Sequence, residues 1–204
     1  MDIVERAVQV LRRDGIIVYP TDTVYGLGGD ALSDDAVLRV YEAKMRPVGK
    51  PISVAVSDTE MLCAVARVDG FSRGLIDRFL PGPVTVILES RSCIPDLLTG
   101  GTGRIGVRIP AHDLALAIIR GLDSPITATS ANVSGEKDPA SPEEVRVPYD
   151  LLVDGGSLSG LPSTVVDPKE RRILRRGALA EEVEAYFGDR AQGRGKGSGR
   201  GRPA

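Results

Sequence analysis

The sequence predicts a single α/β domain, a twisted mixed β-sheet flanked by helices, with a disordered basic tail behind it. Short apolar, β-rich runs alternate with amphipathic helical stretches along most of the 204 residues. Their spacing is irregular, which argues for a mixed sheet over a tidy doubly wound one. Residues 188–204 then change character altogether.

The elements follow in order. Residues 2–13 read as a helix, with Ile3, Val4, Ala7, Val8 and Leu11 at helical spacing and Gly15 beyond its end. Residues 15–19 read as a buried strand. Ser33 caps a second helix that opens on Asp34 and Asp35 and runs towards Lys44. A strand is expected at 52–56, a helix at 59–67, and another helix at 71–80 that Pro81 stops. Strands at 84–89 and 105–109 precede a helix at 113–120 that ends at Gly121, and a further strand begins at 126–128. Ser141-Pro142-Glu143-Glu144 carries a capping box and a proline at the first helical position. Short strands at 151–153, 164–166 and 173–174 lead to a last helix at 180–187. No repeat or internal linker interrupts this, so 1–187 is expected to be one domain.

Composition narrows the function. No apolar run is long enough to span a bilayer and no basic-then-apolar leader opens the chain, so a soluble, cytoplasmic protein without membrane contact is expected. Cys63 and Cys93 stand apart with no histidine cluster, which argues against a zinc site or a disulfide framework. His112 is the only histidine, so mechanisms needing several are excluded. The 188–204 segment holds five arginines and lysines against Asp189, a net +4. With a total of −2, the remaining body is −6. Gly-rich and without apolar residues, the tail cannot offset its chain entropy. A solubilising appendage and a weak RNA-binding arm are its two readings.

Three segments carry the chemistry. In Pro20-Thr21-Asp22-Thr23-Val24-Tyr25-Gly26-Leu27-Gly28-Gly29-Asp30 a core strand runs directly into hydroxyls, a carboxylate, a phenol and glycines. Residues past the carboxyl end of such a strand lie where ligands bind, and glycines admit close backbone approach. An ordinary turn would explain the glycines but not two threonines around Asp22. Lys44-Met45-Arg46-Pro47-Val48-Gly49-Lys50-Pro51 sets three cations at a helix end between stiffening prolines. That suits a helix C-terminus in any protein, and equally a polyphosphate clamp. Pro125–Gly135 again passes from apolar strand to small donors and acceptors, which also build turns for local reasons. A G-x-G-x-x-G match at 101–106 leads into a strand rather than out of one, so a dinucleotide fold is rejected, and no P-loop is present.

Together these segments resemble the YrdC-type threonylcarbamoyl-adenylate synthases, from about residue 7 to residue 177. The matches run in order: PTDTVYGLGGDA at 20–31, KMRPVGKPISV at 44–54, LPGPVTVIL at 80–88, VRIPAH at 107–112, TSANVSG at 129–135, STVVD at 163–167 and RRG at 175–177. The resemblance implies a YrdC-like fold in a short form without an additional C-terminal domain. It implies that L-threonine, bicarbonate and ATP become threonylcarbamoyl-AMP with release of pyrophosphate, Mg2+ accompanying the ATP. A separate tRNA-threonylcarbamoyl transferase complex would use the product on adenosine 37 of tRNAs reading ANN codons.

By the same resemblance Lys44, Arg46, Ser130 and Asn132 are the catalytic residues. Arg46, Lys50, Arg104, Ser130, Asp138 and Arg176 would bind ATP, and Thr23, Arg108 and Ser163 would bind threonine. No metal ligand is assigned. Arg108 alternates with Val107 and Ile109 along a strand, so it faces either solvent or the ligand cavity. Ala55 stands where many relatives carry histidine, and His112 is expected to cap the 113–120 helix. Two alternatives have other chemistry: an RNA-binding module of this fold without catalysis, and a carbamoyl-transfer domain of the hydrogenase-maturation type.

Overall fold

The computed structural model describes residues 1–192. Helix α1 (Ile3–Leu11) starts where Asp2 Oδ1 accepts from the Glu5 amide at 2.8 Å and Glu5 Oε2 accepts from the Asp2 amide at 3.2 Å. This reciprocal cap satisfies two backbone donors that a helix start leaves free. Then come β1 (Ile17–Tyr19), β2 (Gly26–Gly28), α2 (Asp34–Ala43), β3 (Ser53–Ala55), α3 (Thr59–Val65), β4 (Ala66–Arg67) and α4 (Gly70–Phe79). The second half holds β5 (Val84–Ser90), α5 (Asp96–Thr99), β6 (Arg104–Arg108), α6 (Asp113–Leu122) and β7 (Ile126–Ser130). A 3₁₀ turn (Pro142–Glu144), β8 (Leu151–Leu152), β9 (Thr164–Asp167), β10 (Arg172–Arg175) and α7 (Ala180–Gln192) complete it.

The strands join in one twisted mixed sheet, β10-β9-β5-β6-β3-β7-β2-β1-β8, with β4 pairing β5 off this path. β1 with β8, β3 with β6 and β5 with β9 are parallel. Alternation along the strands divides the sheet into two faces. Val18, Leu27, Val54, Val86, Val107 and Val166 point into the main core, against residues of α2, α3, α4 and α5 such as Val40, Leu62, Ile76 and Leu98. Ile17, Tyr19, Ala55 and Ile126 occupy the opposite face under α1 and α6. Beyond the cover of those two helices this second face carries Gly26, Ser53, Thr85 and Ala128 instead of large apolar residues. Ser53 pairs with Ala128 and Ala55 with Arg108, so the strand register brings these positions side by side.

The predicted α/β class and most elements match the structure; the differences have identifiable causes. Gly26 and Gly28 belong to a strand antiparallel to β1, not to an open ligand loop. A Cβ on Gly26 would lie 2.8 Å from the Tyr19 ring, so the glycine is needed for close packing. The helix expected at 59–67 ends at Val65, because Ala66 and Arg67 pair with Ser90 and Glu89. Helix α6 runs through Gly121 and ends at Asp123, whose φ of 58° is left-handed. Glycine costs a helix about 1 kcal/mol relative to alanine, and here it permits close packing, since a Cβ would stand 3.0 Å from Val8 Cγ2. The capping-box segment makes one 3₁₀ turn with no side-chain cap, confined between Pro139 and Pro148. His112 holds the cap position of α6, but its imidazole makes no cap hydrogen bond. Helix α7 continues to Gln192, so 188–192 are helical rather than part of a disordered tail. The remainder of the expected tail, 193–204, lies outside the described residues. Among the described residues no helix is long and apolar enough to cross a membrane.

Candidate active site

The open part of the second sheet face is the floor of a cavity of about 190 Å³. That is smaller than the ~300–1,000 Å³ of pockets that enclose a drug-sized ligand. A small molecule fits inside it, and a larger one would extend beyond it.

One wall comes from the loop after β1 and the end of β6. Thr21 Oγ1 donates to the Val24 carbonyl at 2.7 Å, so the 2.9 Å contact between the Thr21 and Thr23 hydroxyls leaves Thr23 as donor. Thr23 Oγ1 is then free to accept from Arg108 Nη1, at 3.1 Å. Arg108 Nη2 donates to Asp22 Oδ1 at 2.5 Å. Of the two sequence readings of Arg108 the cavity is correct: it is buried and forms part of the wall. Tyr19 lies beneath it, and burial raises the phenol pKa.

The second wall joins the end of α2 to the turn after β7. Lys44 is 2% exposed, and its Nζ donates to the Ser130 carbonyl, the Asn132 carbonyl (2.8 Å) and Asn132 Oδ1 (3.0 Å). Burial, with Arg46 second, lowers its pKa to about 8. Ser130 Oγ donates to Asn132 Oδ1 at 2.7 Å, while Asn132 Nδ2 donates to the Glu136 carbonyl and to Asp138 Oδ1 at 2.7 and 3.1 Å. Every polar atom of the Asn132 amide is engaged, which fixes its orientation. All three Lys44 protons are committed to the protein, so in this state Lys44 organises the turn.

Two further cations line the cavity. Arg46 Nε and Nη2 donate to the Lys50 and Pro51 carbonyls at 3.2 and 2.8 Å, which folds the loop back on itself. Arg175 donates through Nε and Nη2 to the Ser163 carbonyl and through Nη2 to Ser163 Oγ, at 3.2, 3.0 and 3.0 Å. Ser163 Oγ also lies 2.9 Å from Thr85 Oγ1. Arg175 keeps solvent exposure, yet its guanidinium end lies against the cavity; burial lowers its pKa and Arg108 adds to this, against Asp138.

Of the residues expected in the site, Thr23, Lys44, Arg46, Arg108, Ser130, Asp138 and Ser163 line this cavity, and Asn132 stands directly behind Ser130. Lys50 does not line it; the side chain is exposed on the loop. Two expected ATP ligands lie elsewhere. Arg104, at the far end of β6, makes a two-pronged ion pair with Asp167 (2.7 Å each) and lines a separate hollow with Arg67 and Glu89. Arg176 is exposed and pairs with Glu184. Arg175, which sequence reasoning missed, occupies the place expected of Arg176. Alternation hides it: Ile173 packs on the core opposite Val166, and only a bulge between Ile173 and Arg175 sets Arg175 opposite Val165, on the cavity side.

The wall can grip a carboxylate at Arg108, read a hydroxyl through Thr23 or Ser163, and neutralise phosphate at Arg46 and Arg175. Asp138 is the only carboxylate among the lining residues, and the described residues contain no cluster of three or more acidic, histidine or cysteine side chains able to hold a metal. A single carboxylate among cations can serve a Mg2+ ion that keeps several waters and takes one or two carboxylates.

The profile of the Sua5, YciO and YrdC proteins, described as telomere recombination, matches residues 9–177. The chain belongs to this family. Family members of known designation include the threonylcarbamoyl-AMP synthase of Pyrococcus abyssi, 38% identical over 188 residues, 88% of this chain and 55% of that one. The threonylcarbamoyl-AMP synthase of Bacillus subtilis strain 168 is 38% identical over 200 residues, 91% of this chain and 56% of that one. The crystal structure of P. abyssi Sua5 complexed with L-threonine is 37% identical, with a TM-score of 0.87 over 91% of this chain and 57% of that chain. This chain thus spans little more than half the length of these family members.

Proposed function

We propose that this chain makes threonylcarbamoyl-AMP from L-threonine, bicarbonate and ATP, with release of pyrophosphate. The observation that carries this reading is one cavity that brings together two kinds of group: a guanidinium with hydroxyls at Arg108, Thr23 and Ser163, and further cations at Arg46 and Arg175. A carboxylate-gripping arginine beside hydroxyls suits threonine, and cations beside it suit the phosphates of ATP. The names of the two synthases and the threonine complex of P. abyssi Sua5 support it further.

In this reading the amine of threonine captures CO2 derived from bicarbonate, losing a proton. The carbamate oxygen then attacks the α-phosphorus of ATP, the bond to pyrophosphate breaks, and a mixed anhydride forms. No covalent enzyme intermediate is required, so catalysis rests on positioning and on neutralising phosphate charge. Arg108 and Thr23 orient the amino acid, with Ser163 beside them. Arg46 and Arg175 take phosphate, with Lys50 at the rim. Ser130 and Asn132, held by Lys44, shape the reacting centre, and Asp138, the one carboxylate among the lining residues, would be open to Mg2+ arriving with ATP. Residues 1–187 form the catalytic domain. The product serves a tRNA-threonylcarbamoyl transferase complex in the cytoplasm, with any weak tRNA contact falling to the basic 188–204 segment. A module that only bound RNA would have no use for a buried guanidinium–carboxylate pair facing hydroxyls.

Incubation with ATP, Mg2+, bicarbonate and each amino acid in turn tests this. Pyrophosphate release that depends on both threonine and bicarbonate is expected; release indifferent to either sinks the proposal.

A further inference from the structure

Asp22 and Asp167 are both partners of β6 arginines, and they differ in one respect. Asp167, under Arg104, has both oxygens filled: two guanidinium nitrogens at 2.7 Å and the amides of Lys169 and Glu170 at 3.0 and 3.3 Å. That is how a buried structural carboxylate is satisfied. Asp22, under Arg108, is not. Its Oδ1 accepts from Arg108 Nη2, but its Oδ2 is shut off from solvent without a hydrogen-bond partner; the Nε atoms of Arg104 and Arg108 are buried and unpaired alike, so the carboxylate is where the two pairs differ. The two side chains are 12% and 8% exposed. An ion pair so short of hydrogen bonds recovers its desolvation cost poorly, which makes it a weak device for stability alone.

The pair does have an effect on the cavity. Apart from Asp138 the other charged side chains of the wall are cations, Lys44, Arg46 and Arg175. Without Asp22, Arg108 would add an unneutralised positive charge, and any small anion would relieve it. With Asp22, the Arg108 subsite is neutral and its charges are ordered, carboxylate behind guanidinium. A ligand carboxylate on the guanidinium gains little from net charge. An ammonium one carbon away from that carboxylate falls within the field of Asp22.

We propose that Asp22 is a positioning and specificity residue: by pinning and neutralising Arg108 it makes the subsite select an α-amino acid zwitterion over a plain carboxylate. This rests on the reading above that Arg108 grips the carboxylate of the amino acid. Asp22 touches no reacting atom and acts through Arg108.

The test is calorimetric titration with L-threonine and with 3-hydroxybutyrate, which keeps the carboxylate and the hydroxyl but lacks the amine. Wild type is expected to bind threonine at least about tenfold more tightly than the analogue. Asp22→Asn is expected to bring the two within about threefold, with threonine weakened, the analogue strengthened and ATP affinity unchanged. A variant that keeps the tenfold gap overturns the proposal. So does one that weakens threonine, analogue and ATP together, as a purely structural lesion would. Asp22→Glu retains the charge and is expected to retain the gap; its loss there overturns charge as the cause, and this arm decides the matter if Asp22→Asn does not fold. Wild type that binds neither ligand overturns the amino-acid reading, and the inference with it, before any variant is made.

Discussion

Lys44 donates to both oxygens of Asn132, the carbonyl at 2.8 Å and Oδ1 at 3.0 Å, and so ties the end of α2 to the turn after β7. The tie is a buried cation among acceptors that have few other donors. Lys44→Met should therefore lose stability as well as activity, by about 1–3 kcal/mol for the acceptors left short. At this chain length each kcal/mol lowers Tm by roughly 2–4 °C. The pH dependence has a definite sign. Burial brings the Lys44 pKa from 10.5 to about 8, so between those values the unfolded chain holds a proton that the folded one has lost. Stability contributed at this residue rises with pH across that window. Urea unfolding of both proteins through the window should show the rise in wild type and its absence in Lys44→Met; parallel curves would refute it.

Arg175 and Arg176 separate a cavity cation from a surface one. Arg175→Ala should raise the KM for ATP about tenfold or more, the loss of one or two charge-assisted hydrogen bonds. Arg176→Ala should change it less than about twofold, since an exposed pair such as that with Glu184 contributes ~0–1 kcal/mol. Steady-state kinetics on the two variants decide this, and the opposite ranking would return the role to Arg176.

Arg104 should matter for folding and not for ATP. Its removal strands the Asp167 carboxylate, which Arg104 holds below its ordinary pKa. Arg104→Ala is expected to cost about 1.5–3 kcal/mol, the range for hydrogen bonds to a charged group, with unchanged KM for ATP. The Asp167 contribution is present above the ordinary carboxylate pKa and lost as pH falls below it, so the two proteins should converge in stability in acid. A raised KM without loss of stability would count against this assignment.

In the cation loop Arg46 lines the cavity and Lys50 does not. Arg46→Ala should raise the ATP requirement more than Lys50→Ala, and neither should lower Tm by more than a degree or two, because both side chains lie outside the core. Thermal unfolding beside ATP titration checks both halves. A fall in Tm that matches the fall in activity would mean the cations serve the helix end instead.

Substrate choice reads the hydroxyl wall. A site built to hydrogen-bond a hydroxyl rejects an analogue without one by ~10⁴-fold or more, whereas a missing methylene costs only ~10–200-fold. Valine should therefore give no pyrophosphate, and serine a slow but measurable release. Equal rates with valine and threonine would remove Thr23 and Ser163 from recognition.

Much of this site was legible in the chain because strands alternate. Arg108 opposite Val107 told that it left the core, and the motif around it told where it went. The small floor was harder to see. Gly26 and Gly28 look like loop residues by composition, and only their pairing with β1, against a tyrosine ring, turns them into strand. Arg104 carried a misleading signal: it shares a strand with Arg108, yet five residues of strand put it at the opposite end, beside Asp167. Its partner is 63 residues away in sequence, and no local pattern announces such a contact. The choice between Arg175 and Arg176 turned on the parity of a four-residue strand with an irregular register, which composition alone does not reveal.

The floor of the cavity has one more consequence. Gly26 and Ala128 contribute little or no side chain to it, and Ser53 sits low because neighbouring Gly106 has no Cβ; one there would meet Ser53 Oγ at 2.3 Å. Depth is therefore set by atoms that are missing, at positions that neither donate, accept nor carry charge. Gripping is done by other residues on the walls. Adding a methyl group to the floor would shorten the molecule that fits without altering how its carboxylate or phosphates are held. The size of the ligand and the chemistry done on it are written in different residues, and either can change while the other stands.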